Sequence, residues 1–230
     1  MAWEWFFGKG IFIDSISLVV MLLIALSATK YYFVKKSRNY LFLALSFYSM
    51  ALAFLSKILI TFTINYKVLY TEAVRSMQYT TTIVKSSEVL SISGDLFYRI
   101  FTLVGLFLLY SIYEKQSKAN IILMAYLLSL SALFTKDQYP LYYLFYLTTF
   151  LFFGIISHRY YRNYRENKEK TTGMLAASFS IITLSQLLFL LKIASKSFYF
   201  AGEIVQLVGY TLLLVTFIMV LKHGRKKNKN

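Results

Sequence analysis

A chain of 230 residues that is 58% hydrophobic and 15% charged carries more apolar surface than a soluble fold of that size can hide. It therefore reads as an all-α integral membrane protein with the bilayer as solvent. It has no cysteine and two histidines, His158 and His223, both at the edges of apolar runs, which argues against disulfides, thiol chemistry, haem and zinc sites. A net charge of +15 raises nucleic acid as a partner, but in a polytopic protein basic residues first mark the cytoplasmic side, and no nucleic-acid partner is expected.

Residues 1–10 hold Trp3, Trp5, Phe6 and Phe7, an interfacial aromatic anchor ahead of a first apolar span over 11–29. Glu4 precedes that span while Lys30, Lys35, Lys36 and Arg38 follow it. A secretory signal has its charges in the opposite order, so the span is expected to be retained, with the N-terminus outside. The second span covers 40–63, and a polar outer loop follows over 64–94, in which only 68–77 carries a weak helical pattern. A third span over 95–113 leads through the basic turn Lys115 to Lys118 into a short fourth span, 120–135.

Pro140, the only proline, falls in the first turn of a fifth span over 140–157, where proline is tolerated. A basic loop from Arg159 to Lys170 precedes a sixth span over 172–193. The last span, 203–221, runs into a basic tail over 222–230. Most of these segments suit a hydrocarbon core about 30 Å thick at about 1.5 Å per residue.

Alternating sides from an outside N-terminus puts Lys30, Lys35, Lys36, Arg38, Lys115, Lys118 and the basic residues of 159–170 and 222–229 in the cytoplasm. Only Glu114, Glu166 and Glu169 oppose them. The positive-inside rule thus predicts seven helices, N-out and C-in, in one membrane domain at the cell membrane. Beyond topology, Lys222, Arg225, Lys226, Lys227 and Lys229 form a tail suited to anionic lipid, at about 1 kcal/mol per residue near a charged surface.

The two halves echo each other. Lys30-Tyr31-Tyr32 corresponds to Arg159-Tyr160-Tyr161, Leu43-Ala44-x-Ser46-Phe47 to Leu175-Ala176-x-Ser178-Phe179, and Leu103-Val104-Gly105 to Leu207-Val208-Gly209. Their common order predicts an internal duplication of a three-helix unit, with the fourth helix as linker.

In architecture rather than motif, a three-one-three chain resembles the SWEET-type sugar carriers, the microbial rhodopsins, and the seven-helix sensor modules of prokaryotic signalling proteins. The first resemblance implies a solute path between repeats. The second implies retinal, but the last span has no lysine between Glu203 and Leu221, so retinal is not expected. SWEET-type repeats carry a proline in each unit, whereas here the single proline stands outside the helix interiors. The third implies a separate cytoplasmic protein partner, since these residues include no kinase; a homo-oligomer is the other expectation.

Ionisable residues within spans are costly, about 2.5 to 3.5 kcal/mol each at a helix centre, and usually face the bundle interior. Asp14, Lys57, Asp95, Arg99, Lys192 and Glu203, with Gln186 and Gln206, all fall in the outer third. Asp95, Arg99 and Thr102 share one helix face, as do Glu203, Gln206 and Tyr210, while Ser178, Ser185 and Lys192 recur every seven residues. Lys57, Asp95, Arg99, Gln186, Glu203 and Gln206 are therefore the candidate ligand-binding set. A structural account, in which Asp95 pairs with Arg99 and Lys57 pairs with Asp95 or Glu203, stands beside it. Ser46, Ser49, Ala53 and Ser56 offer a small-residue face, and Gly105 and Gly209 suit close helix packing. Tyr142, Tyr146, Thr149 and Phe153 trace a packing stripe.

No G-x-S-x-G, H-E-x-x-H or Cys/His constellation occurs, so a non-enzymatic protein is expected. A receptor or scaffold with an outer polar cluster is the first expectation, and a small-solute or ion transporter is the alternative.

Overall fold

In the computed structural model, residues 4–73, 80–112, 138–193 and 195–227 are described, with single positions at 122 and 126. Side chains are described over 10–62, 93–112, 143–192 and 197–220, and at 122, 126 and 195. Six α-helices account for nearly all of it: α1 Glu4–Lys35, α2 Arg38–Ala73, α3 Thr80–Ser111, α4 Gln138–Asn167, α5 Lys170–Leu190 and α6 Lys196–Lys227. A single 3-10 turn, Leu191–Ile193, joins α5 towards α6. Among the described residues, five helices are long and apolar enough to cross a membrane, over Gly10–Lys35, Arg38–Phe62, Ser93–Ser111, Lys170–Leu190 and Ser197–Val220. The fourth predicted span, 120–135, lies outside the described residues.

The helices overrun the expected spans, and the reason is an absence of breakers. No glycine or proline stands between Ile64 and Ser93, so α2 continues to Ala73 and α3 already begins at Thr80. Most of the expected outer loop 64–94 is therefore helix. In the same way α4 carries its helix through the basic stretch to Asn167, and α6 runs into the basic tail as far as Lys227.

Where α1 and α4 do stop, they stop alike. Lys36 and Lys168 have φ of 48° and 49°, and each donates its backbone N–H back four residues, to the carbonyls of Tyr32 and Tyr164 at 2.7 Å. A left-handed residue ends a helix by removing the next amide from the helical path, here without glycine and at a cost of about 1–2 kcal/mol. Tyr32 and Tyr164 thus occupy matching places. The Tyr31-Tyr32 and Tyr160-Tyr161 pairs do not, because α4 runs three residues further beyond its pair before turning.

Each helix packs on its sequence neighbours from α1 to α3 and from α4 to α6, while α1 meets α6 and α3 meets α4, so the six close into a ring. Directions follow from paired contacts. Tyr98 meets Phe145 and Tyr110 meets Phe152, so α3 and α4 run parallel. The early part of α6 lies level with the early part of α1, through their shared partner Lys57.

The core holds Met21, Ile24, Phe47, Leu106, Leu109, Ile156, Phe179, Ile182 and Leu213, while Phe12, Leu26, Leu59, Leu151 and Val208 point outward. An apolar exterior is what a lipid solvent permits. Inside, close packing and polar contacts hold the helices, because lipid competes equally well for apolar surface. Gly105 shows this directly: a Cβ there would lie 2.9 Å from the backbone oxygen of Ser46.

Candidate functional site

The small-residue face of α2 meets α3 as expected. Ser46 donates to the Gly105 carbonyl at 2.6 Å and Ser49 to the Phe101 carbonyl at 2.7 Å, with Ala53 buried beside them. These bonds fix the rotation of α2 and so the direction in which Lys57 points, two turns beyond Ser49. Gly209 plays the part of Gly105 on the other side, lying against Ile182 of α5.

Lys57 enters a cluster drawn from three helices. Its Nζ is 2.8 Å from Asp14 Oδ1 on α1 and 3.2 Å from Glu203 Oε1 on α6. Both acids are buried, with 3% and 5% of their surface exposed. The ammonium also lies 5.8 Å from the centre of the Tyr199 ring, and Lys192 Nζ lies 5.1 Å from the same centre. One lysine thus holds two carboxylates where water is scarce, and its charge ties α1 and α6 to α2.

The rest of the candidate set divides. Asp95 and Arg99 pair with each other along α3. Gln186 accepts from Thr149 of α4 at 3.0 Å and donates to Ser185. Gln206 donates to the Tyr210 hydroxyl at 2.9 Å. The two glutamines nevertheless share a small cavity on the axis of the ring, lined by Met50, Phe54, Tyr98, Thr102, Phe145, Phe153, Gln186, Gln206 and Tyr210. Five helices contribute to its wall. Its volume is about 10 Å³, room for about one water. Tyr98 links the two sites: it lies within electrostatic reach of Lys57 and Asp95 and hydrogen-bonds to Tyr146.

The candidate set is thus spread over an ion cluster, where Lys57 meets Glu203, a local pair of Asp95 and Arg99, and a cavity lined by Gln186 and Gln206. Asp14 has the right depth in the sequence, but nothing there selects it over Asp95 as the partner of Lys57. Tyr98 and Tyr199 are hidden among 20 tyrosines. Of the wall, Gln186, Gln206 and Tyr210, with Thr102 of the α3 stripe and Phe153 of the α4 stripe, were the legible part.

Among the described residues no group of histidines, cysteines or acids is arranged to hold a metal ion. No protein-family model, curated protein or solved structure matches the chain.

Proposed function

We propose that the protein is a multi-pass carrier of a small solute or ion in the cell membrane, seen with its central cavity closed. The observation that carries this is the cavity's position. Gln206 and Tyr210 lie near the middle of the Ser197–Val220 span, where carriers bind substrate, and the wall takes residues from both halves of the ring. The ion cluster of Asp14, Lys57 and Glu203 stands towards the end where α1 begins, in the position of a gate.

Seven crossings and a duplication belong to the same proposal. Because α3 and α4 run parallel, Ser111 at the end of α3 and Gln138 at the start of α4 lie at opposite ends of the bundle, which supports a linking span. The matching turns at Lys36 and Lys168 set a register that also aligns Ser46 with Ser178. In that register the buried residues Ser17, Met21, Ile24 and Ala25 of α1 fall opposite the buried Thr149, Phe153, Ile156 and Ser157 of α4. Met50, against Gly105, falls opposite Ile182, against Gly209. Basic residues around both turns, Lys35, Lys36 and Arg38, then Arg159, Arg162, Arg165, Lys168 and Lys170, favour the cytoplasm for that end and an N-out, C-in chain.

A rigid receptor or scaffold is the second reading. It is favoured by the tightness of the interior: among the described residues every buried side-chain nitrogen and oxygen has a hydrogen-bond partner. Uptake into proteoliposomes separates the two, using a panel of sugars, amino acids and monovalent cations. The carrier is expected to give saturable uptake of at least one solute, lost on Gln206→Ala. Absence of uptake across the panel, with the protein folded by thermal melt, favours the receptor.

A further inference from the structure

The wall of the central cavity is of two kinds. Phe54 of α2 and Phe145 and Phe153 of α4 give it ring surfaces, while Gln186 of α5, Gln206 and Tyr210 of α6 and Thr102 of α3 give it polar groups. Both glutamines are buried, with 2% and 8% of their surface exposed. What their amides have left after bonding to protein is therefore offered to the cavity that they line.

That remainder can be counted. Gln186 accepts the Thr149 hydroxyl on Oε1 and gives one N–H to Ser185. Ser185 already donates its own proton to the Ile182 carbonyl, so it can only accept, and this fixes which way the Gln186 amide is turned. One N–H of Gln186 is left. Gln206 gives one N–H to the Tyr210 hydroxyl, which leaves a second N–H, the Oε1 acceptor and the phenol proton. Turning that amide over lets Tyr210 donate instead and still leaves the pair with both donors and an acceptor. Every fully buried side-chain nitrogen and oxygen among the described residues has a partner, so Gln206 Oε1, which meets none of them, stays open to the cavity.

Resting on the carrier reading, we infer that the solute carried is a small uncharged polyhydroxy compound. Its hydroxyls bond to Gln206, Tyr210 and Gln186, and its C–H faces lie on Phe54, Phe145 and Phe153. A hydroxyl donates and accepts at once, which is what the Gln206–Tyr210 pair supplies, and a carbon frame covers the rings. Other classes fit less well. A wholly apolar solute leaves the amides unpaired, the loss by which a polar site discriminates most strongly. A bare metal cation needs a shell of oxygens, whereas rings and the Met50 thioether make up most of the described wall. Rings also attract an organic ammonium, so choline is the rival that the test has to include.

The test uses the full chain in proteoliposomes, with labelled erythritol, xylitol and glucose as neutral probes and glycine, choline and rubidium as charged ones. Saturable uptake of at least one neutral probe is expected, with competition by the other two and none by choline. Tyr210→Phe keeps the ring and removes one hydroxyl, so it should raise KM about five- to tenfold, the weight of one hydrogen bond between neutral groups. This milder variant also covers the case in which Gln206→Ala fails to fold, as judged by thermal melts.

Saturable uptake confined to the charged probes overturns the polyhydroxy assignment and leaves the carrier standing. Neutral uptake whose KM is unchanged in Tyr210→Phe and in folded Gln206→Ala overturns the assignment of the solute to this wall. Folded protein that takes up no probe overturns the carrier reading itself, and the solute assignment falls with it.

Discussion

Two corners at the same end of the ring solve one packing problem with opposite chemistry. Where α1, α2 and α6 meet, Asp14, Lys57 and Glu203 form the ion cluster. Where α3, α4 and α5 meet, Phe145, Tyr146 and Phe189 pack edge-on or tilted, with Tyr146 and Phe189 4.9 Å apart and Tyr98 5.6 Å from Phe145. In the register of the proposed duplication, Asp14 falls opposite Tyr146 and Lys57 opposite Phe189, so the ion pair of one half corresponds to the ring pair of the other. Tyr199 spans the corners, 5.3 Å from Phe189 and 5.8 Å from Lys57 Nζ. Aromatic contacts hold helices without charge, and their strength does not change with protonation or ion supply. The difference suggests one corner built to stay closed and another built to open.

The largest effect is expected from removing the lysine. Lys57→Met strands two carboxylates against each other, and breaking a buried ion pair from one side costs about 3–5 kcal/mol. Thermal unfolding in lipid nanodiscs measures it. Neutralising all three groups together, with Asp14→Asn, Lys57→Met and Glu203→Gln, should recover most of that loss, since no charge is then left without a partner. If the triple variant is as unstable as the single one, the corner is held by shape and the contrast with the aromatic corner disappears.

The aromatic corner is expected to respond less. Phe189→Ala opens a void among Phe145, Tyr146, Tyr199 and Gly202. Lipid is as apolar as the ring it replaces, so the transfer part of the usual loss is small and the void accounts for about 2 kcal/mol. The same melts should show that this loss is equal at neutral and mildly acidic pH, since the rings there hold one another without charge. A Phe189→Ala loss that changes with pH would mean the corners are coupled more tightly than their chemistry suggests.

How much of this was legible in the sequence follows the same division. Small residues announce themselves: Ser46, Ser49 and Ala53 recur at helical spacing on α2, and Ser46 and Ser49 bond to the α3 carbonyls of Gly105 and Phe101. Depth was legible too, since Lys57, Asp14 and Glu203 share a level. Partner choice was not, because it depends on which helices are neighbours, and α1 meets α6 only when the ring closes. Helix ends were misjudged wherever polarity was taken for a loop. Ile64 to Ala73 and Arg159 to Asn167 are polar enough to leave the bilayer, yet nothing in them breaks a helix.

The smallest effect is expected at the pair the sequence identified most directly. Arg99 and Asp95 lie one turn apart on α3, with 13% and 50% of their side chains exposed, so the acid keeps much of its contact with the surroundings. Such i, i+4 pairs contribute about 0.3–0.5 kcal/mol, and exposure lowers that further. Arg99→Gln should therefore leave the melting temperature nearly unchanged and solute uptake intact. In the register of the proposed duplication Glu203 falls opposite Arg99, and Glu203→Gln is expected to weaken the Lys57 corner and lower uptake. Places that match in the proposed register on α3 and α6 would then differ in consequence because Glu203 reaches Lys57. A marked loss of uptake in Arg99→Gln would instead enlist the α3 pair in the path and move the gate from one corner to the whole end of the ring.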